Sequence, residues 1–143
     1  MERITIATII NNRVETIWNA YNSAEDIMQW NQASEDWHCT SSTNDLRVGG
    51  KFKNRMEAKD GSFGFDFEGI YTAIEPFKRI TYVMSDGRQV DVAFRSKGDT
   101  TEVTTSFDPE QENPIDMQRE GWQSILDNFK NYVERVYGSN NER

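Results

Sequence analysis

The sequence is poor in the residues that build covalent or metal-held frameworks. Its 143 residues include one cysteine, one histidine and three prolines. A lone cysteine excludes an intramolecular disulfide framework. One cysteine and one histidine cannot supply the ligands of the usual Cys/His zinc cluster, so no metal is expected. Apolar side chains make up only 36% of the chain, and no stretch approaches the roughly 20 apolar residues that span a bilayer. Basic residues are outnumbered, with 16 Lys and Arg against 24 Asp and Glu and a net charge of −8. Nucleic acid and anionic membranes both demand a basic face, so neither is expected as the main partner. The opening MERITIATII has no basic region followed by a long apolar run, so no secretory signal is expected. These absences predict a soluble, cytoplasmic protein without membrane insertion.

Aromatics, by contrast, are plentiful: 8 Phe, 5 Tyr and 4 Trp, or 12%. Each buries about 150–250 Å² when packed, so they carry much of the core in a chain with few aliphatics. A disordered chain would lack them. The length suits one domain over residues 1–143, burying roughly two-thirds of its unfolded surface.

Residues 3–10 alternate around Ile4, Ile6 and Thr8 and are rich in β-branched side chains, which predicts a strand. Asn12 with Glu15 three residues on has the form of a capping box. Val14, Ile17, Trp18 and Tyr21 then recur at helical spacing. Ser23 with Asp26 restarts the pattern, followed by Ile27, Met28 and Trp30. Residues 13–31 therefore read as two short helices that stop at Asn31. From residue 37 to 107 the period becomes two, with turn signals at Asp60–Gly61, Asp86–Gly87 and Gly98–Asp99. An antiparallel meander of five or six strands is expected. Asn113 as N-cap and Pro114 at the first helical position open the last element. Met117, Gly121, Trp122, Ile125, Leu126, Phe129, Val133 and Val136 mark one face of it, and Gly138 is a natural stop. At about 24 residues this helix is roughly 36 Å long. The polar tail 139–143 reads as flexible. The class is α+β, and the long helix is the one element able to cover a sheet.

Several motifs then combine: Trp30, Trp37, Asp45-Leu46-Arg47-Val48-Gly49-Gly50-Lys51-Phe52, Gly64-Phe65-Asp66-Phe67-Glu68-Gly69, Ile74-Glu75-Pro76 and Gly121-Trp122. In this order over residues 3–137 the chain resembles the START-like (SRPBCC) superfamily. More narrowly, it is similar to the family named after the C-terminal domain of the activator of the 90-kDa heat-shock chaperone ATPase (Aha-type homologues). The resemblance implies a helix-grip fold, in which a curved antiparallel sheet of six or seven strands wraps around the C-terminal helix and leaves a cavity. Superfamily members bind lipids, hormones and polyketides, and some are cyclases or dehydratases, so one activity is not implied. The chaperone-activating role belongs to a larger two-domain protein and is not carried over.

The candidate ligand-binding cavity follows from side-chain parity. Phe52, Asn54 and Met56 share one strand face. Phe65, Phe67 and Tyr71 share the next, Tyr82 and Met84 follow, then Phe94, and the helix adds Trp122 and Leu126. Trp30, Trp37 and His38 are expected near the entrance. Asn54 is polar on an inward face and must find a partner, in the core or on a ligand; Tyr82 and Thr105 raise the same question. Asp66 and Glu68 fall on the opposite parity and are expected to face solvent. His38 and Cys39 are strand neighbours pointing to opposite faces, which argues against a catalytic dyad. Asp45, Arg47 and the two glycines after them read as a structural turn, and no phosphate-loop pattern exists. No catalytic residue and no cofactor is assigned. The expected partner is a hydrophobic or aromatic small molecule. An enzyme of the same fold (a cyclase, dehydratase or hydrolase), a chaperone-accessory module and a homodimer formed through a strand edge are the alternatives.

Overall fold

The computed structural model describes residues 2–138, so the expectation of a flexible tail at 139–143 lies outside the described residues. The elements run β1 (Ile4–Ile10), α1 (Val14–Asn22), α2 (Ala24–Trp30), β2 (Trp37–Asn44), β3 (Lys51–Ala58), β4 (Gly64–Glu75), β5 (Arg79–Met84), β6 (Gln89–Lys97), β7 (Thr100–Phe107) and α3 (Ile115–Val136). The strands form one antiparallel sheet in the order β1-β7-β6-β5-β4-β3-β2. Six consecutive strands make the meander, and β1 joins the far side of β7. The sheet curls into a half-barrel with α3 in its concave face. This is the α+β helix-grip architecture that the resemblance implied.

Period-two patterning places the core. In β7, Thr101, Val103, Thr105 and Phe107 alternate inward without a break. They join Ile4, Ile10, Ile17, Val90 and Val92 from the sheet and α1, and Phe129 and Val133 from α3. Phe129 is fully buried, with the rings of Tyr21 and Trp30 edge-on at 5.2 and 4.8 Å. Trp18 meets Phe94 at 5.1 Å.

The helix caps differ from expectation. Asn12 does not cap α1; Arg13 holds that position without a side-chain bond. The Asn12 side-chain amide instead donates to the Gly138 carbonyl at 2.8 Å, and the Asn12 backbone carbonyl accepts from the Thr101 hydroxyl. One side chain thereby ties the β1–α1 junction to the end of α3. Ser23 stands at the α2 N-cap without a side-chain bond, and Asp26 accepts hydrogen bonds from the Tyr132 and Tyr137 hydroxyls. Pro114, not Asn113, is the N-cap of α3. The Asn113 amide is held by Glu110, and buried Gln118 donates to the carbonyls of both Glu110 and Asn113. Met117 and Val136 are exposed because they lie near the two ends of α3, beyond the curled sheet, while Tyr132 is buried on the packed face.

The loop between β2 and β3 is structural, as its sequence predicts. Arg47 pairs with Asp45 at 2.9 Å, and Gly49 has a φ of +86°. The Gly49 N–H donates to the Tyr71 carbonyl, and the Tyr71 N–H donates back to the Gly50 carbonyl. A Cβ on Gly50 would run into the Asp45 carbonyl oxygen. Gly50→Ala is therefore expected to cost about 1–3 kcal/mol through forced backbone movement. Phe129→Ala is expected to cost about 3–5 kcal/mol, and exposed Met117→Ala less than about 0.5 kcal/mol. Urea denaturation of the three variants checks all of these values.

Candidate functional site

Helix α3 packs on β1, and α2 packs on β2. Between α3 and the middle of the sheet the side chains leave a cavity of about 430 Å³. That falls within the about 300–1,000 Å³ usual for small-molecule sites.

The cavity is built mainly from rings and aliphatic chains. Phe52 and Met56 project from β3, Phe65, Phe67 and Tyr71 from β4, and Ile80, Tyr82 and Met84 from β5. Helix α3 contributes Trp122, Ile125 and Leu126, and α2 contributes Ile27 and Trp30. The rings hold one another. Phe52 lies 4.8 Å from Tyr82 edge-on, Phe67 lies 6.1 Å from Trp122, and Trp122 stacks on Phe107 at 4.0 Å. Gly69 makes room for the first of these contacts, because a Cβ there would stand 2.9 Å from the Phe52 ring. That is the physical role of the glycine in the Phe67-Glu68-Gly69 run.

Of the residues expected from parity, Trp30, Phe52, Asn54, Met56, Phe65, Phe67, Tyr71, Tyr82, Met84, Trp122 and Leu126 line this space. Trp37, His38 and Phe94 do not. Trp37 is half-buried and packs on the rings of Phe63 and Phe65 at 6.0 and 5.8 Å. His38 pairs in register with Glu57 at the end of the sheet. Phe94 is taken up by Trp18 and Tyr21 in the core. Phe65 reaches the cavity although it is 42% exposed. Cys39 is buried and donates to the Ser41 carbonyl at 3.3 Å, and burial pushes its thiol up.

The polar groups in the wall fall into two kinds. Some are satisfied by the protein. The Tyr71 hydroxyl donates to Asn44 Oδ1 at 2.6 Å, and the Asn44 amide donates to the Asn22 carbonyl at 2.7 Å. The Asn54 carbonyl oxygen accepts from Ser42 at 2.7 Å. Others have no hydrogen-bond partner among the described residues and are open to the cavity: the hydroxyls of Tyr21, Tyr82 and Thr105 and the amide nitrogen of Asn54. Burial pushes the Tyr21 and Tyr71 hydroxyls far above the ordinary range, and Tyr82 moves the same way. All three therefore stay protonated.

The charged lining residues are Asp66, Glu68, Asp86 and Arg88. Asp66 is held by Lys53 and Arg55 at 3.6 and 3.4 Å on the outer face, the side its parity predicted. Arg88 pairs with Asp86 at 2.8 Å in the exposed β5–β6 turn. Tyr21 and Arg88 were not among the sequence candidates. Tyr21 had a usable signal, since it recurs with Ile17 and Trp18 on one helical face. Arg88 had none, because its place depends on how the sheet curls.

Among the described residues no helix is long and apolar enough to cross a membrane, and no group of His, Cys, Asp and Glu could hold a metal ion.

Comparison with solved structures gives the relatives. The solution structure of an AHSA1-like protein from Aeromonas hydrophila is 47% identical, with a TM-score of 0.91 over 97% of this chain and 96% of that one. A protein from Cytophaga hutchinsonii is 43% identical, with a TM-score of 0.82 over 94% of each chain. A Chromobacterium violaceum protein shares the fold at 20% identity, with a TM-score of 0.83 over 94% of this chain and 99% of that one. A comparison with curated proteins gave no match. Residues 11–134 match the model of one family, and the chain belongs to it: the Activator of Hsp90 ATPase homolog 1-like proteins, of START-like fold.

Proposed function

We propose that the protein binds an apolar or aromatic small molecule in the cavity between α3 and the sheet. The carrying observation is a space of about 430 Å³ walled mainly by aromatic and aliphatic side chains. Affinity comes from taking apolar ligand surface out of water. Burying about 200 Å² at about 25 cal/mol per Å² supplies roughly 5 kcal/mol before the cost of association. The charged wall groups are paired or lie toward solvent, so the interior offers burial and hydrogen bonds rather than an acid and a base. The single cysteine is buried and bonded, which fits a reducing cytoplasm as the place where this binding occurs.

Ethylnaphthalene is a suitable first probe, being apolar, ring-containing and small enough for the space. Saturable binding is expected, and at 100 times Kd it stabilises the fold by about 2.7 kcal/mol. In a thermal melt that is a rise of about 5–10 °C. Ile125→Trp fills the cavity from α3 and is expected to abolish the rise while still unfolding cooperatively. No shift in the wild type, or an equal shift in the filled variant, would sink the proposal.

A further inference from the structure

We infer that the ligand carries an uncharged hydrogen-bond acceptor, a carbonyl oxygen on an apolar ring system, received by the hydroxyls of Tyr21 and Tyr82. This rests on the proposed binding in the cavity and deepens it.

Tyr21, Tyr71 and Tyr82 all line the space, and their hydroxyls lie within electrostatic reach of one another. Tyr71 donates its proton to Asn44, which is fixed in turn by the backbone at Asn22. Tyr21 and Tyr82 have no such partner among the described residues, and neither hydroxyl is sealed into the core. Tyr82 is only 7% exposed, so its hydroxyl has left bulk water without gaining a protein acceptor. A hydroxyl that faces the cavity without a protein acceptor is free to donate to what enters it, and a ligand acceptor at that place gains that hydrogen bond.

The sign of the field decides which acceptor. The wall offers an anion no uncommitted cation: Arg88 is paired with Asp86, and Lys53 and Arg55 are held by Asp66 on the outer face. The whole chain carries −8. An anion entering the cavity loses its hydration and finds no free cation in return. A neutral carbonyl avoids both, and buried tyrosines that stay protonated remain donors to it at any ordinary pH.

Three probes of one size test this on the intact chain: ethylnaphthalene, acetylnaphthalene and naphthoate. A cavity that offered only apolar burial would prefer the hydrocarbon, because the ketone must shed its water without return. The expected order is acetylnaphthalene first, about fivefold tighter than ethylnaphthalene, with naphthoate weakest. In Tyr21→Phe/Tyr82→Phe the order of the two neutral probes is expected to reverse. Neither substitution removes a protein hydrogen bond, so the variant is expected to melt no lower than the wild type; Tyr82→Phe alone, expected to lose part of the preference, serves as the second variant. Calorimetric or NMR titration reads the affinities. A wild type that prefers the hydrocarbon, a preference unchanged in the double variant, or tightest binding of naphthoate overturns this inference and leaves the apolar site standing. Failure of all three probes to bind overturns both.

Discussion

One helix of 22 residues has to cover the concave face of seven strands. It cannot touch all of them equally. Helix α3 meets the sheet closely along β1 and stands off from β3, β4 and β5. The close side is closed by Phe129 and Val133, both fully buried. The far side is bridged by rings: Trp122 stacks on Phe107 and reaches Phe67 across the gap. A cavity is thus the geometric remainder of covering a strongly curved sheet with one straight element. Large aromatics suit its wall because each spans a long gap with few rotatable bonds.

Polar side chains hold the helix at that height. Asn12 bonds to the Gly138 carbonyl beyond the end of α3, and Gln118 holds the 110–113 loop before its start. Asp26 of α2 takes the hydroxyls of Tyr132 and Tyr137, and the Asn128 amide of α3 donates to the Trp30 carbonyl. These bonds tie α3 and its ends to the β1–α1 junction, the 110–113 loop and α2, and none runs to β3, β4 or β5. Their net worth is about 1 kcal/mol each, but their directionality matters more. Apolar packing alone would let the helix sink toward the sheet and close the space.

Most of the element order was legible because alternation and helical spacing are local properties. The strand 51–58 follows from the parity of Phe52, Asn54 and Met56, and the split into two short helices at 22–23 follows from the restart at Ser23. What parity could not supply was curvature. Register shifts between Cys39 and Ser41 and between Tyr71 and Ala73 bend the sheet, and no single residue type announces them. Hence Trp37, His38 and Phe94 were expected at the cavity and lie elsewhere, while Arg88 was missed. Capping also misled: Asn12, Ser23 and Asn113 stand where caps belong, but the Asn12 amide bonds to Gly138 far along the chain and the Asn113 amide to Glu110 three residues before it. Local propensity proposes a cap, and another partner, distant for Asn12 and local for Asn113, takes the side-chain amide.

Tyr71 and Tyr82 face each other across β4 and β5 in register. They are the same residue in nearly the same surroundings, both almost fully buried. One hydroxyl is committed to Asn44 and the other to no protein group among the described residues. If packing alone decided these positions, phenylalanine at 82 would fill the same volume without placing a hydroxyl in an apolar wall. A partner that enters the cavity is what gives that hydroxyl an acceptor. Phe52 meets the Tyr82 ring edge-on at 4.8 Å and Gly69 gives it the room, so the ring that carries the hydroxyl is held by packing rather than by a hydrogen bond. A donor fixed in place without an acceptor is the arrangement a binding site needs, since its orientation is set before the ligand comes.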